Sequence, residues 1–272
     1  MLAGVITNET KDPTLEYTAL VCDFLEMRDV TCYTKNPPVD ADFWVILGGD
    51  GTMLRYSHLA ALYDIPLLGI NLGTLGFLTD VEKQDGTEAL AKVLSGDFIL
   101  EKRMMLETLY ICSSGSDESL LSQLLRKKPE NRNALNDIFV GSSFGDLARF
   151  SVYVNDQLLD IVRANGIIVA TPTGSTAYNL SAGGPLLLPH SDMMVITPVC
   201  PHDLSSRPVV VSASDVVRIV PHNASNLILD GETRGATCSE DSIVVQKSNY
   251  QATIIRTTPV QLNAVLRKKK VL

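Results

Sequence analysis

The stretch FWVILGGDGT, residues 43–52, decides the fold of this chain. Its first part, from Phe43 to Leu47, is an unbroken apolar run, which is typical of a strand buried on both faces of a sheet. Glycines and one acid follow at once, and the residues from Thr52 to Tyr63 are predicted to form a helix. A strand, a glycine-rich turn and a helix in this order predict one repeat of a parallel sheet covered by helices.

The flanking sequence repeats this alternation. Two further strands are predicted at residues 2–7 and 66–70, and two further amphipathic helices at residues 13–28 and 87–94. We therefore predict an α/β domain with a parallel sheet over residues 1–98.

The pattern changes after Gly96. Short β-rich segments separated by turns follow, at residues 150–154, 166–170, 208–212, 216–220, 227–229 and 242–245. They predict an antiparallel, β-sandwich-like domain over residues 99–257. Residues 113–133 are rich in Ser, Lys, Glu and Asn and are predicted to be the tip of a long hairpin, whereas residues 260–270 have helical character.

The composition narrows the class of protein. The chain has 272 residues, of which 45% are hydrophobic and 20% charged, as is ordinary for a globular protein. A net charge of −8 argues against a general nucleic-acid binder, which needs a basic face. Five cysteines without a Cys-x-x-Cys pair argue against a disulfide framework and a zinc site. Since no apolar run approaches the roughly 20 residues of a membrane span and no signal-peptide pattern opens the chain, we predict a cytoplasmic protein.

The glycine-rich turn after the central strand is a candidate phosphate site. Glycines around Asp50 let the backbone approach a ligand closely, and the N–H groups there, with the helix N-terminus, suit phosphate. The alternative is a plain strand-to-helix turn with Asp50 or Thr52 as the N-cap. The turn is neither a P-loop nor a Gly-x-Gly-x-x-Gly fingerprint.

Two further segments are candidates for ligand contact. Residues 69–78 follow a predicted strand at the sheet edge where ligands bind, and Phe77 would either stack on a base or cover the core. Residues 171–185, TPTGSTAYNLSAGGP, combine hydroxyls and glycines that suit the many acceptors of a dinucleotide, or else form a surface loop.

Other polar residues are weak signals when taken alone. Asn136-Asp137 could be a turn, and Asp230-Gly231 is a favoured hairpin-turn dipeptide. Because Ser175 has no adjacent base and His222 has no partner at the spacing of a catalytic triad, a serine hydrolase is disfavoured.

Together these segments resemble those of the NAD kinase family. The match follows the family's order over nearly the whole chain, from the Gly-Gly-Asp-Gly-Thr loop through residues 75–79, 134–137, 170–178, 180–185, 198–202 and 206–208 to Asp230-Gly231-Glu232. The loop is shared with lipid kinases, whereas residues 170–178 are much more specific.

The resemblance implies that the chain transfers the γ-phosphate of ATP to the 2′-hydroxyl of the adenosine ribose of NAD, giving NADP. Asp50 would then accept the proton of the attacking hydroxyl. Mg²⁺ or another divalent cation would be held mainly through the nucleotide phosphates. The donor phosphates would lie against Gly48, Gly49, Gly51, Thr52 and, one helical turn on, Arg55.

The resemblance also implies an NAD pocket. Phe77 would line the adenine site, with Asn71 on the same segment, and Asn136 and Asp137 would hold ribose hydroxyls. The remaining contacts would come from Arg149, Arg163, Asn165, Thr173, Thr176, Ala177, Tyr178, Ser181 and Glu232. Three positions depart from the commonest pattern of the family, which has Glu, Asp and Gln in place of Asp137, Asn165 and Glu232.

By the same resemblance, the protein would be a homotetramer or homodimer, and residues 258–272 would return to the first domain. Two alternatives stay open. A lipid kinase of the diacylglycerol or sphingosine type would share the phosphate loop but use an apolar acceptor, and a non-catalytic dinucleotide sensor would keep the pocket without the chemistry.

Overall fold

The structure, a computed structural model, describes residues 1–73, 76–79, 81–113, 120–127, 129–142 and 146–258. The chain forms two compact units: one contains Met1–Lys102 together with the described residues from Ala252 onward, and the other contains Arg103–Gln251. The domain boundaries expected at residues 98 and 258 stay a prediction. The helix expected at residues 260–270 lies outside the described residues.

The first unit is built on a parallel sheet. Its strands are β1 (Leu2–Thr7), β2 (Thr31–Tyr33), β3 (Phe43–Gly48), β4 (Leu67–Asn71) and β5 (Val81–Glu82). Strand β1 pairs with β2 and β3, and β4 pairs with β3 and β5, in each case in parallel. All six residues of β3 are buried, as the apolar run predicted.

Within the described residues of this unit, the helices that cover the sheet are α1 (Glu16–Glu26), α2 (Asp50–Leu62) and α3 (Gly86–Ser95). Helix α1 begins later than its predicted start at residue 13. Leu15 takes a left-handed φ of 56°, and the Asp12 carboxylate accepts the N–H groups of Tyr17 and Thr18, so that the helical turn starts at Glu16. None of the helices in the described ranges is long and apolar enough to cross a membrane.

The second unit contains antiparallel strands. They are β6 (Ile99–Ile111), β7 (Asn133–Ala134), β8 (Asp137–Gly141), β9 (Ala148–Val154), β10 (Gln157–Ala164), β11 (Gly166–Ala170), β12 (Met193–Val199), β13 (Val209–Ser212), β14 (Val217–Pro221), β15 (Ser225–Leu229), β16 (Glu232–Thr237) and β17 (Ser242–Arg256). Strands β6 and β17 pass between the units along the chain, and in the first unit Ile254 of β17 pairs in parallel with Leu67 of β4.

Two sheets of the second unit enclose one core. One sheet has the order β10-β9-β14-β17, and the other has the order β13-β12-β11-β8-β15-β16. Phe150 and Val217 from the first sheet belong to the same buried cluster as Val140, Ile167 and Leu227 from the second. This arrangement confirms the predicted fold class, an α/β domain with a parallel sheet plus an antiparallel, sandwich-like domain.

Residues 113–133, predicted to be the tip of a long hairpin, do connect two antiparallel strands, because Leu106 and Glu107 of β6 pair with Ala134 and Asn133 of β7. The described part of this connection is helical, which the sequence did not indicate. Residues Leu120–Lys127 form helix α4, and a 3-10 helix follows at Pro129–Arg132. Leu121 and Leu125 lie one helical turn apart and are both buried. The polar composition of this segment therefore concealed an amphipathic helix.

Candidate active site

The glycine-rich turn of the first unit forms one wall of a cavity. Strand β3 ends at Gly48, Gly49 is the N-cap in an extended conformation, and helix α2 begins at Asp50. A cavity of about 830 Å³ is lined here by Gly49, Asp50, Gly51, Thr52, Arg55 and Gly76, together with the loop after β1. Because the N-terminus of a helix carries partial positive charge and unpaired N–H groups, this wall suits an anion such as phosphate.

The Asp50 carboxylate is held by the turn at residues 77–79. The N–H of Phe77 donates to Oδ2 at 2.7 Å, while the N–H groups of Leu78 and Thr79 donate to Oδ1 at 3.0 and 3.1 Å. The Thr79 hydroxyl adds a bond to Oδ1 at 3.2 Å. A Cβ on Gly76 would collide with this carboxylate, so the close approach requires glycine there. These bonds fix the carboxylate in one orientation at the cavity wall.

Two cations line the same cavity. Arg55 lies on the first turns of α2, as the sequence predicted, and Lys11 comes from the loop after β1. The Lys11 Nζ atom is 3.3 Å from the position that a Cβ on Gly49 would take and 2.8 Å from that of Gly73. Its ammonium group therefore lies between the phosphate turn and the end of β4.

Lys11 was not predicted as a site residue from the sequence. A signal was present, because Lys11 follows β1 and the carboxyl ends of parallel strands meet at one edge of a sheet. The other predicted residue of this edge, Asn71, ends β4 and is buried, and its side-chain oxygen accepts the N–H of Gly73 at 2.7 Å.

The second unit holds a carboxylate pair around Asn136-Asp137. Asp230, in the turn between β15 and β16, accepts the N–H groups of Leu135, Asn136 and Asp137 at 2.7, 2.7 and 3.0 Å. Burial, and then the negative charge of Asp230, raise the pKa of Asp137 to about 7. The hairpin turn predicted at Asp230-Gly231 is present, and its aspartate also fixes a neighbouring loop.

The segment at residues 171–185 packs directly against Asn136. The N–H of Thr171 donates to the Asn136 carbonyl oxygen at 2.9 Å, and a Cβ on Gly174 would collide with the Asn136 backbone. Residues Gly174–Thr176 form a 3-10 helix, and Tyr178–Ser181 form the short helix α5. Asn136 therefore lies beside the residues that the resemblance assigned to the NAD pocket.

Not every hydroxyl of this segment faces a ligand. The side chains of Thr171 and Ser175 are buried and donate to the carbonyl oxygens of Leu135 and Pro172. Thr173 Oγ1 accepts a bond from Arg103 at 3.2 Å, and the Thr176 hydroxyl donates to the Thr173 carbonyl oxygen at 3.1 Å. These bonds shape the segment.

Aromatic and charged residues complete the predicted set. The Tyr178 side chain is exposed and meets the Phe139 ring edge-on, at 5.6 Å between centroids. Glu232 is exposed and forms an ion pair with Arg234 at 3.0 Å, a partner that the sequence did not indicate. The remaining predicted residues have these places: Arg149 on β9 and Arg163 on β10 are exposed, Asn165 lies between β10 and β11, Ala177 precedes α5, Ser181 ends it, and Phe77 is half-buried.

The expectation that His222 lacks a partner of the triad type is wrong. Its Nε2 shares a hydrogen bond with Ser151 Oγ at 2.8 Å, and its Nδ1 lies 2.7 Å from Glu240 Oε1. Ser151 is only 4% exposed on the central strand β9, so that a substrate cannot reach its hydroxyl. The hydrogen bonds among Ser151, His222 and Glu240 link β9 to residues at the ends of neighbouring strands. A serine hydrolase therefore stays disfavoured.

The described part of the chain contains no group of three or more His, Cys, Asp or Glu side chains that could hold a metal ion.

Comparisons with known proteins give the same family for most of the chain. Residues 7–98 match the ATP-NAD kinase N-terminal domain, and residues 138–257 match the ATP-NAD kinase C-terminal domain. The NAD kinase of Caldanaerobacter subterraneus subsp. tengcongensis is 38% identical over 287 residues, which cover 98% of this chain and 97% of the relative. The NAD kinase of Ruminiclostridium cellulolyticum is 38% identical over 291 residues, with 98% and 96% covered.

Solved structures share the fold. The NAD kinase from Archaeoglobus fulgidus in complex with ATP has a TM-score of 0.80 at 24% identity, and each chain is covered completely, 100% in both cases. The yeast NADH kinase complexed with NADH has a TM-score of 0.82 at 23% identity, with 100% of this chain and 88% of that chain covered.

Proposed function

This chain belongs to the NAD kinase family and transfers the γ-phosphate of ATP to NAD, and from that premise we propose which of its residues carry the reaction. Asp50 is the group that takes the proton of the attacking hydroxyl. The observation that carries this assignment is the position of its carboxylate, which four hydrogen bonds from residues 77–79 hold at the wall of the phosphate cavity.

The donor binds as a complex of ATP with a divalent cation. Its phosphates lie against Gly49, Gly51 and Thr52 of the cavity wall, which follow Gly48 at the end of β3, and the positive charges of Arg55 and Lys11 lie beside them. A neighbouring cavity of about 440 Å³ shares Thr7, Glu9 and Tyr56 with the first and is also lined by Asn36, Pro37 and Leu59. Its mixed polar and apolar lining suits the nucleoside of ATP.

The acceptor, NAD, binds at Asn136 and at the site residues predicted from the sequence. Asn136 and Asp137 bind hydroxyls of the adenosine ribose, because an amide and a carboxyl group can each pair with a vicinal diol. The dinucleotide is further bound by Asn71, Phe77, Arg149, Arg163, Asn165, Thr173, Thr176, Ala177, Tyr178, Ser181 and Glu232. Glu232 contributes less negative charge than the sequence indicated, because it is paired with Arg234.

The reaction follows from these roles. The 2′-hydroxyl oxygen forms a bond to the γ-phosphorus, the bond from that phosphorus to the bridging oxygen breaks, and ADP leaves. The proton of the hydroxyl moves to the Asp50 carboxylate. A rigid carboxylate aligns the hydroxyl with the phosphorus, and catalysis of phosphoryl transfer comes almost entirely from such positioning together with electrostatic stabilisation.

The proposal also covers the identity of the cation, the cellular location and the oligomeric state. The divalent cation is Mg²⁺, and the protein acts in the cytoplasm. It also forms a homotetramer or homodimer, which is supported by the exposed Leu158, Leu159 and Ile161 on β10, the terminal strand of its sheet in the described part of the chain. Light scattering coupled to size exclusion would give twice or four times the monomer mass, and a monomeric mass would contradict this part.

One assay tests the function against its two alternatives. The purified protein is incubated with ATP and Mg²⁺, in separate reactions with NAD, diacylglycerol or sphingosine, and NADP is followed with an NADP-specific dehydrogenase. We expect NADP and no phosphorylated lipid. A phosphorylated lipid alone would support the lipid kinase, and NAD binding without turnover would support the dinucleotide sensor. The named relatives favour neither alternative.

A further inference from the structure

The turn that holds Asp50 is itself held by a buried arginine. Arg256, the last residue of β17, donates from Nη1 to the Leu78 carbonyl oxygen at 3.1 Å and from Nη2 to that of Phe77 at 3.4 Å. The N–H groups of the same two residues donate to Asp50. The turn therefore has the carboxylate on its N–H side and the guanidinium on its carbonyl side.

The guanidinium is fixed in turn by Glu101. Its Nε lies 2.7 Å from Glu101 Oε2, and the two side chains are only 3% and 8% exposed. A planar guanidinium presents its donors in a rigid fork, so that binding the carboxylate through Nε aims Nη1 and Nη2 in fixed directions. Both residues lie in the same unit as Asp50, although they are far apart in sequence.

Burial of such a pair is costly for stability. Charges removed from water lose hydration, and replacing a buried ion pair by apolar side chains of similar volume is often neutral or stabilising. The ion pair supplies two hydrogen bonds, from Arg256 to the carbonyl oxygens of Phe77 and Leu78, which apolar side chains could not make. The Phe77 carbonyl shares its peptide group with the N–H of Leu78, and the Leu78 carbonyl shares its peptide group with the N–H of Thr79, so the bonds from Arg256 also fix the orientation of these two donors to Asp50.

We infer that Arg256 and Glu101 are positioning residues for the catalytic carboxylate, which act on Asp50 through the turn at residues 77–79. The pair affects kcat and leaves the binding of both substrates unchanged. This inference rests on the proposed role of Asp50 as the proton acceptor. It concerns neither the phosphate cradle nor the NAD pocket.

The test replaces the pair by apolar residues. The double variant Glu101→Met/Arg256→Met keeps the side-chain volume and removes both charges of the pair together, so we expect it to fold with a melting temperature near that of the wild type. Its kcat is expected to fall about 10- to 100-fold, because small misplacements of a catalytic group cost this much. KM for NAD and KM for ATP are expected to stay within about twofold. Hydrogen exchange at residues 76–79 should quicken, while exchange in the second unit stays unchanged.

Two further variants keep the test decisive. Arg256→Lys preserves the charge but not the fork, and we expect it to fold and to lose about five- to tenfold in kcat. Arg218→Met removes an arginine that pairs with Asp156 in the other unit and serves as the control with normal turnover. Wild-type kcat in either folded Arg256 variant would overturn the inference. Asp50→Asn is measured in parallel, because normal turnover in that variant would contradict the proposed role of Asp50 instead.

Discussion

Each unit contains an aspartate carboxylate that accepts backbone N–H groups from three consecutive residues, but the proposed roles of the aspartate and of the backbone segment are exchanged between the two units. In the first unit the carboxylate of Asp50 accepts the N–H groups of three consecutive residues, 77–79. In the second, the carboxylate of Asp230 accepts those of residues 135–137. Under the proposed function, Asp50 is the reacting group and its turn is the holder, whereas Asp230 is the holder and its loop carries Asn136 and Asp137. Equivalent hydrogen bonds should therefore have different kinetic signatures.

The largest effect is expected at Asp50. In Asp50→Asn the amide nitrogen faces an N–H donor of the turn, and the proton acceptor is lost. We expect kcat to fall by at least ~10², as for loss of a positioned base, with NAD binding retained by calorimetry. Asp64→Asn, in the exposed turn that follows α2, is the control. Near-normal turnover in Asp50→Asn would refute the role given to this carboxylate.

A smaller effect, of a different kind, is expected at Asp230. In Asp230→Asn one side-chain oxygen becomes a donor that opposes the backbone N–H groups it formerly accepted. Since hydrogen bonds to a charged group contribute about 1.5–3 kcal/mol, KM for NAD should rise about 10-fold or more. KM for ATP should stay unchanged. An equal rise of KM for NAD and KM for ATP would contradict the proposed role of Asp230 in holding the NAD-binding loop.

A matched control exists for this variant. Asp156 is also a hairpin-turn aspartate, and it shares the positive φ of Asp230, with values of 61° and 51°. It lies in the turn between β9 and β10, so that Asp156→Asn should leave both KM values near those of the wild type.

The carboxylate pair should also make stability depend on pH. Because the pKa of Asp137 is raised to about 7 from an ordinary value of 3.8, the unfolded chain loses this proton at lower pH than the native protein does. Between these values unfolding releases a proton, so rising pH lowers the free energy of unfolding, by about 1.4 kcal/mol per pH unit at most. In Asp137→Asn this slope is absent. We expect the variant to gain roughly 2 kcal/mol over the wild type between pH 5 and pH 7 in urea titrations. An equal difference at both pH values would contradict the raised pKa.

The smallest effect is expected at Lys11. Its side chain is exposed, and a charge near a phosphate in a solvated cavity contributes modestly. Lys11→Ala should raise KM for ATP about fivefold, with KM for NAD unchanged and with the effect weakened by salt. Lys92→Ala, on α3 of the same unit, is the control. No change in KM for ATP would exclude Lys11 from the donor site.

The fold was predictable where apolar side chains alternate or run without a break. Strand β3 and strand β11 at Gly166–Ala170 were found almost residue for residue, since their burial follows from local composition. Strand β10 was not predicted, because five of its eight residues are exposed in succession and its pattern lacks alternation. Helix α4 was missed because its leucines stand among Ser, Gln, Arg and Lys.

The site was predictable only as far as motifs reach. The turn at Asp50 and the segment at residues 171–185 could be found because glycines and hydroxyls are close together in sequence. Arg256 and Glu101 are 155 residues apart and carry no motif, so that only the folded chain shows their common contact with the turn. Asp230 was visible as a turn residue, but the loop that it holds lies 93 to 95 residues earlier in the chain.

The position of Arg256 at the end of β17 has a consequence for synthesis on the ribosome. The second unit is one continuous stretch, whereas the first unit is begun by residues 1–102 and finished by residues from Ala252 onward. At about 5–20 residues per second, the ribosome adds the missing strand roughly 8 to 30 s after Lys102. During this interval β4 lacks its pairing with Ile254, and the turn that orients Asp50 lacks Arg256. The unit that is started first is completed last, and a nascent chain acquires its aligned aspartate only when nearly all of it has been translated.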